Sequence, residues 1–233
     1  MKKRKSWILV CLLTASAILI LSHFGSQAVT TIAQNTPPER EHCIVIDAGH
    51  GGLDGGATSC TGILESTYNL DIALRLNDLF RFLGYDTRMI RKSDISVYTK
   101  GETIAQKKIS DLKERVRITN ETENALLISI HQNMFSDSQY SGAQVFYAKS
   151  EESMILAKQM QSAFLNTLNP GSRRQCKKSD GIYVMEHITH PGILIECGFL
   201  SNPQEEANLR SREYQQKLCC VIVSTVDSYL SNT

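Results

Sequence analysis

The chain has 233 residues, 25 Lys+Arg against 24 Asp+Glu for a net charge of +1, and 42% hydrophobic residues. That apolar share excludes a disordered chain, and the near-zero charge excludes the basic stripe of a nucleic-acid-binding protein, so no nucleic-acid partner is expected. A single Trp and no periodic aromatic repeat set aside propellers and carbohydrate-stacking modules.

Lys2-Lys3-Arg4-Lys5 precedes an apolar run from Trp7 to Leu21, the pattern of an export signal, and Ser26-Gln27-Ala28 offers a small-x-small cleavage site. The run covers about 22 Å as a helix against a hydrocarbon core of about 30 Å. Residues 1–28 therefore read equally as a cleaved signal peptide or a retained signal-anchor. Both readings keep the positive end inside and export the rest, either secreted or held at the membrane by this segment. Residues 29–41 are polar with Pro37-Pro38 and read as a linker, which leaves 42–233 for one domain. Of seven cysteines, Cys11 lies in the apolar run. The other six are irregularly spaced, and Cys43, Cys197, Cys219 and Cys220 sit in apolar stretches, which favours free thiols and leaves pairing open.

Cys43–Ile46 predicts a first strand, ending at Asp47 and followed by the glycine-dense loop Gly49-His50-Gly51-Gly52 and Gly55-Gly56. Leu70, Ala73, Leu74, Asn77 and Phe80 keep a helical period that Gly84 closes. Tyr85–Ile90 predicts a strand, Ile109–Asn120 a helix, and Ala125–Ile130 a central strand. Ala143–Ala148 predicts another strand, and Ser150 caps a helix running to about Leu168. Ile182–Met185 and Ile193–Cys197 predict two short strands. Asn202 then caps a helix that starts at Pro203, with Glu205 placed for a capping box. Leu218, Val221, Ile222, Thr225, Val226 and Tyr229 share one face of a last helix. Alternating strands and helices predict a single α/β domain, a twisted, mostly parallel sheet flanked by helices, with its site at the carboxyl ends of strands.

Three of those ends carry chemistry: His50 in the glycine loop, His131 after the central strand, and Glu196 at the end of Ile193–Ile195. Glu65 opens the first long helix. Two His and one Glu with a position left for water is the donor set of a catalytic zinc, and a further carboxylate that does not ligate serves as general base. A Glu flush against an apolar strand is expected to have a raised pKa. Asp47 reads equally as a partner orienting His50 and as a turn former. His190 reads as a loop residue, and Cys197, by strand alternation, as core. Arg173-Arg174 and Lys177-Lys178 read as a solvated basic loop near the site, with steering of acidic substrate as the alternative.

Ile44-Val45-Ile46-Asp47-Ala48-Gly49-His50-Gly51-Gly52, then Glu65, then Leu127-Ile128-Ser129-Ile130-His131-Gln132-Asn133, then Pro191-Gly192-Ile193-Leu194-Ile195-Glu196-Cys197-Gly198-Phe199-Leu200-Ser201-Asn202 resemble, in order, the motifs of N-acetylmuramoyl-L-alanine amidase family 3. The resemblance covers about Cys43 to Leu230, and Arg91-Lys92-Ser93-Asp94, Arg115 and Asn120 match lesser positions. It implies that residues 42–233 form a zinc amidase catalytic domain, with one Zn²⁺ on His50, Glu65 and His131 and Glu196 as the catalytic carboxylate. It also implies cleavage of the bond between the lactyl carboxyl of N-acetylmuramic acid and L-alanine, on peptidoglycan glycan strands with stem peptides. Asn133, in the His131 motif, is expected to touch substrate. A short exported member without wall-binding repeats resembles the sporulation type. That type strips cortex peptidoglycan before muramic-δ-lactam forms, serves germination, and would work between the forespore membranes. Ser66 stands where the family usually has Lys, Gln132 where it often has a small residue, and Met185-Glu186-His187 where a basic residue is common. The first two are expected to alter substrate contacts. The stretch between His131 and Glu196 leaves little room for an inhibitory inserted helix, so regulation is expected to act through site assembly or metal loading by a helper protein. The rival readings are a zinc peptidase on the stem peptide and a membrane-anchored, peptidoglycan-binding pseudoenzyme.

Overall fold

Continuous aliphatic runs make the central strands of this fold. In the computed structural model, which describes residues 40–232, β1 (Cys43–Ala48), β3 (Ala125–Asn133) and β6 (Gly192–Phe199) lie side by side in a six-stranded sheet. With β2 (Asp86–Met89), β4 (Gln144–Tyr147) and β5 (Lys177–Lys178), the strand order is β2-β1-β3-β6-β4-β5. Every neighbouring pair is parallel except β4 with β6. The expected α/β architecture is therefore the one the chain forms. The proposed signal or anchor at 1–28, Cys11, and all but the last two residues of the 29–41 linker lie outside the described residues. Among the described residues no helix is long and apolar enough to cross a membrane.

Among the described residues six helices flank the sheet: α1 (Glu65–Phe82), α2 (Ile104–Asn120), α3 (Glu151–Thr167), α4 (Tyr183–His187), α5 (Pro203–Arg210) and α6 (Arg212–Leu230). Strand alternation divides the side chains between two layers. Ile46, Ile128, Ile130, Ile195 and Cys197 pack against Leu76 and Phe80 of α1, Phe164 of α3 and Ile222 of α6. Val45, Leu127 and Leu194 pack against Leu112 and Val116 of α2 and Val184 and Met185 of α4. Full burial of each such side chain contributes about 1.5–3 kcal/mol. Asp47, Ser129, His131 and Glu196 fall on the α2/α4 side by the same alternation.

Local signals account for most helix starts and for the end of α1. Ser150 and Asn202 accept main-chain N–H bonds as N-caps, and Gly84, with φ 85°, follows the last residue of the α1 cap. α2 starts at Ile104, ahead of the expected Ile109, because Thr103 and Gln106 form a capping box.

Three expectations are corrected. Ile182–Met185 is not a strand: the chain turns at Gly181 (φ 74°) and winds into α4, with Glu186 N–H donating to Ile182 O and Ile188 N–H to Val184 O. Four apolar residues suit one helical turn as well as a short strand, so their pattern does not choose. Lys177–Lys178 is not a loop but an edge strand beside Phe146 and Tyr147. Glu205 is not half of a capping box; its carboxylate accepts from the N–H groups of Phe199 and Gly142 instead. The six described cysteines are free thiols, with Cys197 and Cys219 buried.

Candidate metal centre and catalytic cavity

The glycine loop after β1 lets the main chain approach side chains from two other elements. A Cβ at Gly49 would lie 2.2 Å from His131 Nε2, so the His131 ring rests directly on this backbone. At Gly56 (φ +70°) a Cβ would lie 2.6 Å from Glu65 Oε2 and 2.7 Å from His50 Cδ2. Either methyl would fill the space the three side chains share. His50 itself takes φ 60°, an uncommon conformation for a residue with a Cβ.

Two buried arginines hold that loop. Arg91 donates to the carbonyls of Ala48, Gly49 and Ser66, which ties the end of β1 to the start of α1. Arg115 donates to Ala48 O and His50 O and is ion-paired with Asp47 and Asp111. Their planar donor forks each reach several main-chain carbonyls at once.

The donor atoms of His50, Glu65 and His131 all lie within 4.8 Å of one another, a group able to hold a metal ion. His50 Nε2 is 3.3 Å from Glu65 Oε2, and His131 Nδ1 is 3.0 Å from Glu65 Oε1. The carboxylate is aimed by main-chain donors, Ala57 N–H to Oε2 at 3.0 Å and Gln132 N–H to Oε1 at 3.1 Å. Asn69, one turn along α1, donates to Gly49 O and contacts Oε1. Burial pushes the Glu65 carboxyl upward, but the two imidazoles outweigh it and hold the group well below the usual carboxylate range. Burial pulls His50 down, yet Glu65 and Asp54 leave it raised.

Glu196 completes the arrangement without joining the donor set. The β3–β6 register places it opposite His131, and both line a cavity of about 330 Å³ on the α2/α4 side of the sheet. Its Oε2 is buried with no hydrogen-bond partner among the described residues. Desolvation raises its carboxyl to about 7; the charge of Glu65 adds to the rise while His131 and His50 oppose it. A free carboxylate of that basicity beside a cluster of two imidazoles and a carboxylate is suited to moving a proton near neutral pH.

Residues 44–228 match the family model described as N-acetylmuramoyl-L-alanine amidase. The chain belongs to this family. It is 38% identical to the germination-specific N-acetylmuramoyl-L-alanine amidase of Bacillus subtilis (strain 168) over 190 residues, 81% of this chain and 79% of that one. The fold is similar to that of the CwlD amidase from Clostridioides difficile, solved in complex with the GerS lipoprotein, at TM-score 0.79 and 36% identity, covering 82% of this chain and 100% of that one. It is also similar to an N-acetylmuramoyl-L-alanine amidase from Clostridium difficile 630, at TM-score 0.72 and 29% identity, covering 82% and 98%.

Within this amidase domain, the four principal residues read from sequence converge, and others fall elsewhere. Asn133 ends β3, where its carbonyl accepts from Leu200 N–H; it is not among the cavity-lining residues. Asp47 does not orient His50. It is buried against Arg115 and Ser129, and the group on His50 Nδ1 is Asp54, at 2.9 Å. Ser66 and Gln132 do not face the cavity either: both are buried, Ser66 O accepting from Arg91 and Gln132 Nε2 donating to Asn69. Arg174 stacks on Phe199 and contacts Gln144 and Ser141, and the basic pair 177–178 lies in the edge strand, so the cavity's cations come from elsewhere. Asp54, Asn69 and the α2 lysines were not singled out from sequence. Asp54 alone left a signal there, a carboxylate four residues from His50 in the same glycine loop.

Proposed function

We propose that this chain is a zinc-dependent N-acetylmuramoyl-L-alanine amidase that frees stem peptides from the muramic acid of peptidoglycan. The observation that carries the reading is the convergence of His50, Glu65 and His131 on one point, with the unpartnered carboxylate of Glu196 on the same cavity. The donor set fits zinc: two imidazole nitrogens and one carboxylate, with room kept by Gly49 and Gly56. When bound there, the ion supplies Lewis acidity that polarises the amide carbonyl and acidifies water.

The rest of the chemistry belongs to the protein's side chains. Glu196 takes a proton from the water that attacks the lactyl carbonyl, and returns it to the departing α-amine of L-alanine. Its raised basicity suits both transfers. Asp54 accepts from Nδ1 of His50 and so leaves the lone pair of Nε2, on the Glu65 side, to hold the ion. Arg91 and Arg115 keep the loop main chain in place while this happens.

The sporulation role rests on the germination-specific relative and on the overall similarity to CwlD. The solved complex of that amidase with a lipoprotein supports a regulatory or metal-loading partner for this chain as well. Such a partner and a peptidoglycan substrate both require export, which the N-terminal segment 1–28 would direct.

Digestion of defined muropeptides by metal-analysed protein tests the reading. The expected product carries a free lactyl carboxyl on muramic acid, and Glu196→Ala retains zinc while losing turnover. Cleavage confined to bonds within the stem peptide would instead identify a zinc peptidase.

A further inference from the structure

The ionic groups on the cavity wall can be paired off almost completely. Arg115 is taken up by Asp47 and Asp111, and Lys108 by Asp54 at 3.3 Å. Glu196 is the acid reserved for proton transfer. One lining cation remains. Lys107, half-buried on the first turns of α2, has no ion pair among the described residues, and its amine sits 5.2 Å above the Tyr98 ring. Tyr98, Ile104 and Leu112 line the same wall, so an uncommitted ammonium is held beside an apolar surface that takes the aliphatic part of a ligand.

We infer that Lys107 is a specificity-determining residue that recognises a free carboxylate on the peptide side of the scissile amide, with Tyr98 orienting its amine. The inference deepens the amidase reading and rests on it. The cavity's volume, about 330 Å³, admits a short peptide segment reaching one or two residues from the reacting bond. In a stem peptide the nearest such acid belongs to the glutamyl residue that follows L-alanine. Amidation of that carboxyl removes the charge and turns one of its two acceptor oxygens into a donor, so Lys107 is left with a neutral carbonyl in place of a carboxylate. Lys108 does not take this part, because Asp54 already neutralises it.

The test measures kcat/KM on two muropeptides that differ only in that α-carboxyl, free in one and amidated in the other. The ratio of acid to amide is read for the wild type, Lys107→Met and Lys107→Arg. We expect a wild-type ratio of about tenfold or more, the scale of a hydrogen bond to a charged group. The ratio falls to about one in Lys107→Met and returns to several-fold in Lys107→Arg. Because each ratio is taken on one preparation, a partly folded variant does not distort it. A wild-type ratio near one, or a ratio unchanged by Lys107→Met, overturns the assignment while leaving the amidase reading intact. A metal-loaded wild type that opens neither muropeptide overturns both.

Discussion

His50 Nδ1 lies 2.9 Å from Asp54 Oδ2, and this contact decides which imidazole nitrogen faces Glu65. A carboxylate there accepts from a proton on Nδ1, and in the proposed zinc site this would leave the lone pair of Nε2 for the ion. Asp54→Ala is expected to lower zinc affinity about 10–100-fold while the fold persists. Competition with a chromophoric chelator measures it; an affinity equal to wild type contradicts the arrangement.

The burial of Glu196 carries a stability cost. Its carboxyl is raised from 4.5 to about 7, so the folded state favours the protonated form. The penalty for ionising it is absent below the ordinary carboxylate range, grows as pH rises toward 7, and is complete above that. In the metal-free protein, Glu196→Gln is therefore expected to add on the order of 3 kcal/mol at about pH 8 and nothing at about pH 4. The same variant, loaded with zinc, should lose about 10²–10⁴ in kcat. Denaturant melts in chelator and turnover on muropeptides check the two halves separately.

Asp47 and Arg115 form a buried pair beneath the site. Desolvation works to raise the Asp47 carboxyl, but Arg115, His131 and Ser129 together hold it below the usual range. Its stabilisation is thus present above the unfolded carboxylate value of about 3.9 and is lost as pH falls through the lower folded value. Arg115→Met strands the carboxylate and is expected to cost about 3–5 kcal/mol at neutral pH. The wild type should also lose stability more steeply with acid than Asp47→Asn does. Melts over a pH series decide both points, and a cost below about 1 kcal/mol for Arg115→Met would falsify the burial argument.

Gly49→Ala places a methyl 2.2 Å from Nε2 of the His131 ring. Overpacking of this kind costs about 1–3 kcal/mol, and here it also pushes a ligand away from the shared point. Loss of bound zinc with a modest drop in melting temperature is the expected outcome. Full zinc occupancy in the variant would show that His131 has another place to go.

The amino-acid order by itself determined the aliphatic runs that become β1, β3 and β6, the caps at Ser150 and Asn202, and the glycines that bend the loop around His50. It also placed two imidazoles and a carboxylate at strand ends and another carboxylate at a helix start. All of these depend on periodicity or on backbone freedom over a few neighbouring residues, which a linear string carries. The tertiary structure alone decided who meets whom. Asp47 turned to Arg115, 68 positions away, and Asp54 took the place beside His50. The apolar stretch at Ile182–Met185 became a helical turn on the cavity wall, and Lys107 rather than the 173–178 cations faced the site. Those choices depend on strand order and on which sheet face each helix covers, and neither is encoded in any local window.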